Sequence, residues 1–392
     1  MWKHFVANVL TVLIVGLIAL GGFIAWAQRQ YVAEGPLDAA ICVQVEPGTT
    51  MRRVSANLEE QGAISNGSIF RVGTDYTGKA SELKAGSFLV PPRSSMADIV
   101  DILTRGGRST CGTEVVYRIG VNSELVQVRE LDPSTNRFAI IAEFDPAPEE
   151  GAEEPEAEAL ATYEEIREAA DTRYRVALAE GVTSWQVVEA LKSADFLTGT
   201  VEDLPAEGTL APDSYEVTAG SDIASLLAAM AERQAERLDA AWQNRASDLP
   251  ISTPEEALIL ASIIEKETGQ PEERGQVASV FVNRLRRGMR LQTDPTVIYG
   301  VTDGRGVLGR GIRQSELDRE TPWNTYLIDG LPITPIANPG LASIEAALNP
   351  DETPYIFFVA DGSGGHAFAE TLAEHNENVA RWREIEAERQ EN

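Results

Sequence analysis

The sequence predicts an α+β fold that is preceded by one transmembrane helix. Two patterns carry this prediction. Residues 5–27 form an apolar run without a charged side chain, and the rest of the chain alternates short β-like runs with segments of helical spacing. The chain has 392 residues, of which 43 % are hydrophobic, so two or three domains with buried cores are expected.

The charge balance limits the classes of partner. The chain carries 61 acidic residues against 33 Lys and Arg, which leaves a formal net charge of -28. Nucleic-acid-binding proteins need a basic surface, so we expect no nucleic-acid partner, and an anionic membrane surface is disfavoured for the same reason. With two cysteines and three histidines, a Cys-rich zinc module is excluded, and we expect neither a metal nor a cofactor.

The apolar run at residues 5–27 is long enough to cross a bilayer. Its 23 residues exceed the roughly 20 that span the hydrocarbon core, and Trp2 and Trp26 lie near its ends, where interfacial aromatics are favoured. A cleaved signal peptide is the alternative, because Ala25-Trp26-Ala27 loosely fits a cleavage site, but signal peptides have shorter apolar cores of about 7–15 residues. We therefore predict that residues 1–30 form a cytoplasmic tip and a transmembrane anchor.

A first compact unit is predicted over residues 40–111, in the order strand, helix, helix, strand, helix. Its elements are a strand at Val43–Val45, a helix over Thr50–Gln61, a helix after Ser65-Asn66, a strand over Leu83–Val90 and a helix capped by Ser95. Cys42 and Cys111 bracket this unit, and in an oxidising compartment a disulfide would close it. Two unrelated buried thiols are the alternative, because the sequence alone does not define their Cα separation.

Residues 112–172 are predicted to hold β-strands and an acidic linker. Alternating apolar runs over residues 114–142 indicate strands or a hairpin. Residues 145–158 contain seven acids, three prolines and no basic residue, which is typical of a solvated linker. An acidic binding arm is the alternative interpretation of that run.

The third region, residues 173–392, contains the strongest evidence for chemistry. Thr253, Pro254 and Glu256 form a capping-box pattern that starts a helix, and Gly269 is expected to end it. Glu265 follows Ala261 by four residues, so it lies at the edge of an apolar face near the helix end. A partly desolvated carboxyl group stays protonated more readily and can act as a general acid. The alternative is an ordinary solvated helix end.

Loops after this helix combine amides, hydroxyls and aromatics, which suits the recognition of sugars. The three segments lie at residues 288–300, 322–326 and 330–340. Ordinary turn chemistry is the alternative, since Asn and Pro are common in loops. A buried strand is predicted at Tyr355–Val359. His366 and His375 are nine residues apart without a third ligand, so we expect them to have a structural or substrate-orienting role.

Several motifs in the third region resemble the YceG-like family of endolytic murein transglycosylases. They are IEKET at residues 264–268, VFVNRL at 280–285, MRLQTDPTVIYG at 289–300, NTY at 324–326, GLPITPI at 330–336, NPG at 338–340 and EGTLAPDSY at 207–215. The resemblance covers roughly residues 173–380. Residues 40–111 are more loosely similar to the family's LysM-like subdomain, whereas residues 112–172 look like an expansion.

The resemblance implies a fold and an activity. It implies a small LysM-like α/β subdomain followed by a larger mixed α+β catalytic domain at residues 173–392. It also implies a lytic transglycosylase that cleaves the β-1,4 bond between N-acetylmuramic acid and N-acetylglucosamine in nascent glycan strands, leaving a 1,6-anhydromuramyl end and terminating the strand. Glu265 is then the catalytic acid and later the base. The expected substrate-binding residues are Gln292, Asp294, Tyr299, Asn324, Tyr326 and Asn338.

The resemblance also implies a location and partners. The protein is expected to cross the bacterial inner membrane once, through residues 5–27, with its catalytic part in the periplasm. Peptidoglycan glycan strands are the expected substrate, and peptidoglycan synthases of the penicillin-binding class are expected partners. Two other functions stay open: a peptidoglycan hydrolase (muramidase) and a non-catalytic peptidoglycan-binding scaffold.

Overall fold

A computed structural model describes residues 2–106, 109–146, 154–167, 169 and 171–390. It confirms a mixed α+β fold. Over these residues the helices are α1 (Trp2–Val32), α2 (Met51–Glu60), α3 (Gly67–Tyr76), α4 (Met96–Thr104), α5 (Glu154–Arg167), α6 (Ser184–Ser193), α7 (Ile223–Gln243), α8 (Pro254–Glu267), α9 (Arg274–Arg286), α10 (Asp294–Thr302), α11 (Gln314–Leu317), α12 (Leu341–Leu348) and α13 (Leu372–Gln390). The strands are β1 (Ile41–Val45), β2 (Gly86–Val90), β3 (Thr113–Ile119), β4 (Glu124–Asp132), β5 (Arg137–Phe144), β6 (Arg173–Leu178), β7 (Leu197–Thr198), β8 (Ser214–Val217), β9 (Ser221–Asp222), β10 (Phe357–Ala360) and β11 (His366–Ala369).

Helix α1 contains the predicted apolar run. Its segment Phe5–Val32 is long and apolar enough to cross a membrane by length and composition. The side chains of residues 5–26 are exposed, whereas Tyr31, near the end of the helix, packs against the core of the first unit. The helix is a candidate for the predicted transmembrane anchor.

The chain divides into two compact units. The first comprises Met1–Val116, Gln127–Phe144 and Glu149–Tyr174, and the second comprises Tyr117–Val126, Asp145–Pro148 and Arg175–Asn392. The strand order of the largest sheet is β5-β4-β3-β6-β8, and β10 pairs with β11 in an antiparallel ribbon.

In the first unit, two antiparallel strands are covered by three helices in the order that the sequence predicts. β1 pairs with β2, with Val43 opposite Phe88, and the side chains of both residues are buried. Asn66 caps α3 through its side chain, and Ser95 forms a reciprocal capping box with Asp98 at the start of α4. These caps define where each helix starts, so the apolar stripes of α2, α3 and α4 meet in one core.

Two expectations about secondary structure need correction, and a third is confirmed. Residues 114–142 form three strands, β3, β4 and the start of β5, in agreement with the expected strands or hairpin. The predicted acidic linker is helical from Glu154 onward in α5, while its residues 147–153 lie outside the described part of the chain. The strand predicted at Tyr355–Val359 begins at Phe357 and is only partly buried, because it belongs to a two-stranded ribbon.

Helix α8 is the central element of the second unit. Its residues from Ala257 to Ile264 are all buried, and they pack into a core with residues of α9 and α12. Thr253 accepts a hydrogen bond from the Glu256 N–H at 3.2 Å, as predicted for the helix start. The reciprocal bond of the predicted capping box is shifted by one residue, since the Glu256 carboxylate accepts from the N–H of Ser252.

A disulfide joins Cys42 to Cys111, whose Cα atoms are 6.0 Å apart. The bond closes a loop with a sequence separation of 69 residues. We expect its reduction to lower the free energy of unfolding of the first unit by about 4 kcal/mol, because the cross-link restricts the unfolded chain. Urea unfolding of the full-length protein in detergent, followed by circular dichroism with and without reductant, measures this change.

The double variant Cys42→Ala/Cys111→Ala is the control for that measurement. Its unfolding should not respond to reductant, since it has no disulfide to reduce. Equal unfolding midpoints for the reduced and oxidised wild-type protein would contradict the prediction.

Candidate functional site

Three charged residues occupy the last turn of α8, directly after its fully buried segment. Glu265, Lys266 and Glu267 are each partly buried. The helix ends because Thr268 adopts extended dihedral angles, with φ -140° and ψ 131°. The helix was predicted to end at Gly269, and it ends at Glu267 with Thr268 as the C-cap residue; Gly269 follows without a positive φ.

Glu265 lies against the start of α12. The N–H of Gly340, the N-cap residue of α12, donates to Oε2 of Glu265 at 2.9 Å. A carboxylate at this place is favoured by the unpaired N–H groups and the dipole of the helix N-terminus. Since α8 and α12 share the core of the second unit, the position of Glu265 is determined by the packing of two helices.

A second carboxylate, that of Glu180, lies on the other side of the same glycine. A Cβ atom added to Gly340 would lie 1.7 Å from Oε1 of Glu180, so this close approach requires glycine. Because both carboxylates touch Gly340, the oxygens of Glu180 and Glu265 that touch it are at most about 7 Å apart. Partial desolvation and then the charge of Glu265 raise the pKa of Glu180, while Arg274 and Arg237 lower it.

Lys266 links α8 to the turn that carries Glu180. Its Nζ donates to the carbonyl oxygen of Gly181 at 3.2 Å. Burial lowers the pKa of Lys266, and the charges of Glu265 and Glu207 oppose that shift. The ammonium group therefore interacts with the charges of two carboxylates and also holds the backbone of the turn.

Glu207 and Tyr299 extend this cluster. Oε1 of Glu207 accepts from the N–H of Ser184 at 2.8 Å, and Oε2 accepts from the hydroxyl of Tyr299 at 3.1 Å. Burial raises the pKa of the Glu207 carboxyl and also that of the Tyr299 hydroxyl. The Tyr299 ring packs against Trp323 with centroids 5.4 Å apart, which leaves the phenol directed at Glu207.

Glu267 belongs to a second group of side chains beyond the helix end. The hydroxyl of Thr293 donates to Oε1 of Glu267. Burial raises the pKa of Glu267 to about 6, and the nearby charge of Asp294 acts in the same direction. Asp294 accepts a hydrogen bond from the Tyr326 hydroxyl at 2.7 Å.

The exposed Gln292 precedes this second group. It adopts a left-handed φ of 49°, and its N–H donates to the carbonyl oxygen of Thr325 at 3.1 Å. The segment predicted as a loop is helical from Asp294 onward in α10, with Pro295 near the helix start. Gln292 and Asp294 keep exposed side chains next to Glu267 and Tyr326.

Two predicted substrate-binding amides are buried and already hydrogen-bonded to the protein. Asn338 has no exposed surface; its Nδ2 donates to the carbonyl oxygen of Val182, and its Oδ1 accepts from the N–H of Leu210, both at 2.9 Å. Asn324 is 1 % exposed and bonds through its side chain to three backbone groups of its own loop. In this conformation both amides hold loops in place.

The two predicted histidines have protein partners. Nδ1 of His366 lies 2.9 Å from Oε2 of Glu273, and the His375 ring stacks on Phe357 with centroids 5.0 Å apart. Within the described residues, no group of three or more His, Cys, Asp and Glu side chains is arranged to hold a metal ion.

The structure thus gathers predicted and unpredicted residues at the end of α8. Glu265, Tyr299 and Asn338 lie with the first cluster, and Asp294 and Tyr326 lie with Glu267. Sequence reasoning missed Glu180, Glu207 and Lys266. Glu180 and Glu207 share one pattern: each is followed by a glycine with a positive φ, 79° at Gly181 and 83° at Gly208. Such a turn presents the side chain of the preceding residue at the tip of a loop.

Comparison with known proteins now adds to this geometry. The YceG-like family matches residues 43–147 and 152–381, which is most of the chain. The chain belongs to the YceG-like family. Two relatives are each named endolytic murein transglycosylase. One, from Bacillus subtilis, is 45 % identical over 119 residues, and the other, from Streptococcus pneumoniae, is 26 % identical over 391 residues.

The matches differ in how much of each chain they cover. The Bacillus subtilis match includes 30 % of this YceG-like chain and 32 % of the relative, and the Streptococcus pneumoniae match includes 96 % of this chain and 65 % of the relative. This chain therefore spans less than two thirds of the length of either relative. A crystal structure of a yceG-like protein from Listeria monocytogenes is 23 % identical, with a TM-score of 0.44 over 86 % of this chain and 98 % of that one.

The buried amide of Asn338 provides a test of the site's architecture. We expect Asn338→Ala to lower the free energy of unfolding by about 1–3 kcal/mol, because it leaves the N–H of Leu210 unpaired in the interior and removes one of the two hydrogen bonds that Asn338 donates to the carbonyl of Val182. Urea unfolding of the full-length protein measures the change. Gln292→Ala, at an exposed side chain, is the control and should change stability by about 0.5 kcal/mol or less. Equal effects of the two variants would contradict the structural role of Asn338.

Glu267 predicts a pH dependence of stability. Its pKa rises from 4.5 to about 6 on folding, so the folded protein binds a proton more readily than the unfolded chain. The proton on Glu267 therefore contributes about 2 kcal/mol to the free energy of unfolding. This contribution is fully present below pH 4.5, the pKa in the unfolded chain, and is lost as the pH rises through about 6, the pKa in the folded protein. Glu267→Gln should therefore flatten the dependence of the free energy of unfolding on pH between these two values.

Glu272→Gln is the control for this measurement, because it makes the same replacement at an exposed glutamate. Glu272→Gln should keep the wild-type slope when urea unfolding is repeated across the same pH range. A wild-type slope in Glu267→Gln would show that burial of this carboxyl does not control the pH dependence.

Proposed function

We propose that this chain is a membrane-anchored lytic transglycosylase that cuts peptidoglycan glycan strands internally. Membership of the YceG-like family supports the proposal, as do the two relatives named endolytic murein transglycosylase. The observation that carries it is the placement of Glu265. Its carboxylate ends a buried helix and is held by the N–H of Gly340, with two further carboxylates, Glu180 and Glu207, in the same cluster.

The proposed reaction uses Glu265 first as an acid and then as a base. Its carboxyl proton goes to the glycosidic oxygen between N-acetylmuramic acid and N-acetylglucosamine, and the C1–O bond breaks. The C6 hydroxyl of the same muramyl residue then attacks C1 and gives its proton to the Glu265 carboxylate. The product is a 1,6-anhydromuramyl end, and no water is consumed. An internal hydroxyl needs no separately bound nucleophile, which is an entropic advantage.

We propose different roles for the other predicted residues. Gln292, Asp294, Tyr299 and Tyr326 are proposed to contact the sugars, because each keeps accessible surface in the structure. Their amide, carboxylate and aromatic groups suit acetamido groups, hydroxyls and sugar faces. Asn324 and Asn338 are proposed to act by holding the loops that carry these residues.

The domain organisation and the location are part of the same proposal. Residues 1–30 are proposed as the cytoplasmic tip and inner-membrane anchor, 40–111 as a LysM-like subdomain, 112–172 as an expansion with an acidic linker, and 173–392 as the catalytic domain. The apolar helix α1 supports the anchor, and a single span would leave the catalytic part in the periplasm. Strand termination beside a peptidoglycan synthase is the proposed role.

Replacement of the proposed acid tests the reaction. Glu265→Gln keeps the size of the side chain but has no proton of suitable acidity, so we expect anhydromuramyl products to fall by at least about a hundredfold. Purified peptidoglycan is digested with full-length protein in detergent, and the products are measured by mass spectrometry. Glu255→Gln, on an exposed position of the same helix, is the matched control and should keep wild-type activity. Wild-type product yield from folded Glu265→Gln would refute the assignment.

A hydrolase is the second candidate, and a specific observation favours it. Two carboxylates within about 7 Å of each other resemble the acid and base pairs of ordinary glycosidases, whose separations run from about 5 to about 9.5 Å. The same digestion separates the two reactions, because a reducing muramic acid end is heavier than an anhydro end by one water. A chain that only binds peptidoglycan would release neither product.

A further inference from the structure

A carboxylate outside the predicted site, that of the exposed Glu180, lies beside Glu265 on a turn whose backbone is held in place. It follows β6 on the turn formed by residues 179–183. Three of the hydrogen bonds that hold this turn are Gly181 N–H to the carbonyl of Asn338, Asn338 N–H to the carbonyl of Val182, and Lys266 Nζ to the carbonyl of Gly181. The backbone of Glu180 is therefore tied both to α8 and to the loop that precedes α12.

Gly340 determines how close the two carboxylates come. Its N–H holds Glu265, and the absence of a side chain lets Glu180 pack against its Cα. Gly340 has a φ of -72°, which any residue adopts without strain, so its backbone conformation does not require glycine. What requires glycine is the space that the Glu180 carboxylate occupies. The closeness of the pair is thus built into the start of α12.

We infer that Glu180 is a positioning residue for the transglycosylase reaction proposed above, because its negative charge, placed beside Glu265 at Gly340, favours the acid form that the first step requires. Two carboxylates within about 7 Å of each other repel when both are ionised, so the charge of one opposes the ionisation of the other. The inference rests on the proposed function, because the transglycosylase reaction uses no water. In that reaction Glu265 acts as the acid, and Glu180 has no water to activate.

The surrounding charges are consistent with this repulsion. Desolvation and the charge of Glu265 raise the pKa of Glu180, and the cations that oppose this shift are Arg274 and Arg237. Lys266 donates to a backbone carbonyl, and its charge interacts with those of Glu265 and Glu207. The cations therefore reduce the repulsion between Glu180 and Glu265, and the net shift of the Glu180 pKa is still upward.

The test compares the pH–rate profiles of full-length variants in detergent, measured as anhydromuramyl product from purified peptidoglycan. In Glu180→Gln the negative charge beside Glu265 is gone, so the alkaline limb should move to lower pH by about one unit. Product formation on that limb should fall about tenfold, while binding to intact sacculi should stay unchanged. Glu180→Asp, which keeps the charge, should restore part of the wild-type profile.

A second variant tests the geometry without altering either carboxylate. In Gly340→Ala the added Cβ displaces the Glu180 side chain but leaves the N–H that binds Glu265. The alkaline limb of the pH–rate profile should therefore move to lower pH, as in Glu180→Gln. Gly269→Ala is the matched control, because a Cβ there meets no atom within 4 Å. Glu202→Gln, at an exposed glutamate, is the control for the loss of one negative charge. Both controls should follow the wild-type profile.

The outcomes separate this inference from the proposed function. If the wild-type protein forms anhydromuramyl ends and Glu180→Gln has an unshifted profile, the inference is overturned and the proposed function stands. If the wild-type protein forms no anhydromuramyl ends, the proposed function itself fails. If it forms reducing ends that disappear in Glu180→Gln, then Glu180 is the base that activates water, and both proposals are overturned.

Discussion

The burial of α8 from Ala257 to Ile264 is the constraint on which the rest of the site depends. Every residue in this stretch is buried, so the helix has no exposed face between its first and last turns. Charged groups that follow such a segment need polar partners, because a buried charge without one is costly. Glu265, Lys266 and Glu267 find theirs on three different segments, at Gly340, Gly181 and Thr293. The helix end therefore gathers the loops of the second unit around it.

This gathering concentrates carboxyl groups with raised pKa values at one place. Glu180, Glu207 and Glu267 all shift upward, and desolvation is the largest cause for each. The long-range charge of -28 does not explain these shifts, since exposed charges are screened by salt over about 10 Å. The local packing of α8, α12 and the turn after β6 does explain them. A site with several partly desolvated carboxyl groups has the chemistry that acid catalysis on glycans requires.

Local elements were predictable where a short motif has one structural meaning. Thr253 and Pro254 predicted the start of α8, Ser95 predicted the start of α4, and the alternation at Val43–Val45 predicted β1. Predictions were wrong where the local pattern is shared by several structures. The segment from Asp294 was interpreted as a loop because of its polar residues, yet Pro295 starts a helix there. The hydrogen bond from Thr293 to Glu267 was not predictable from the local pattern, because Thr293 approaches the helix end from another segment.

The sequence by itself determined the apolar N-terminal helix, the order of strands and helices, the family and the identity of Glu265 as the residue of interest. It did so because hydrophobic periodicity, caps and motifs are properties of neighbouring residues. Only the tertiary structure decided which of the 61 acidic residues meet at the end of α8. Glu180 and Glu207 are distant in sequence from Glu265, and they reach it because Asn338, Gly340 and Lys266 hold their loops against that helix end. No local pattern encodes such contacts, since they depend on how separate elements pack.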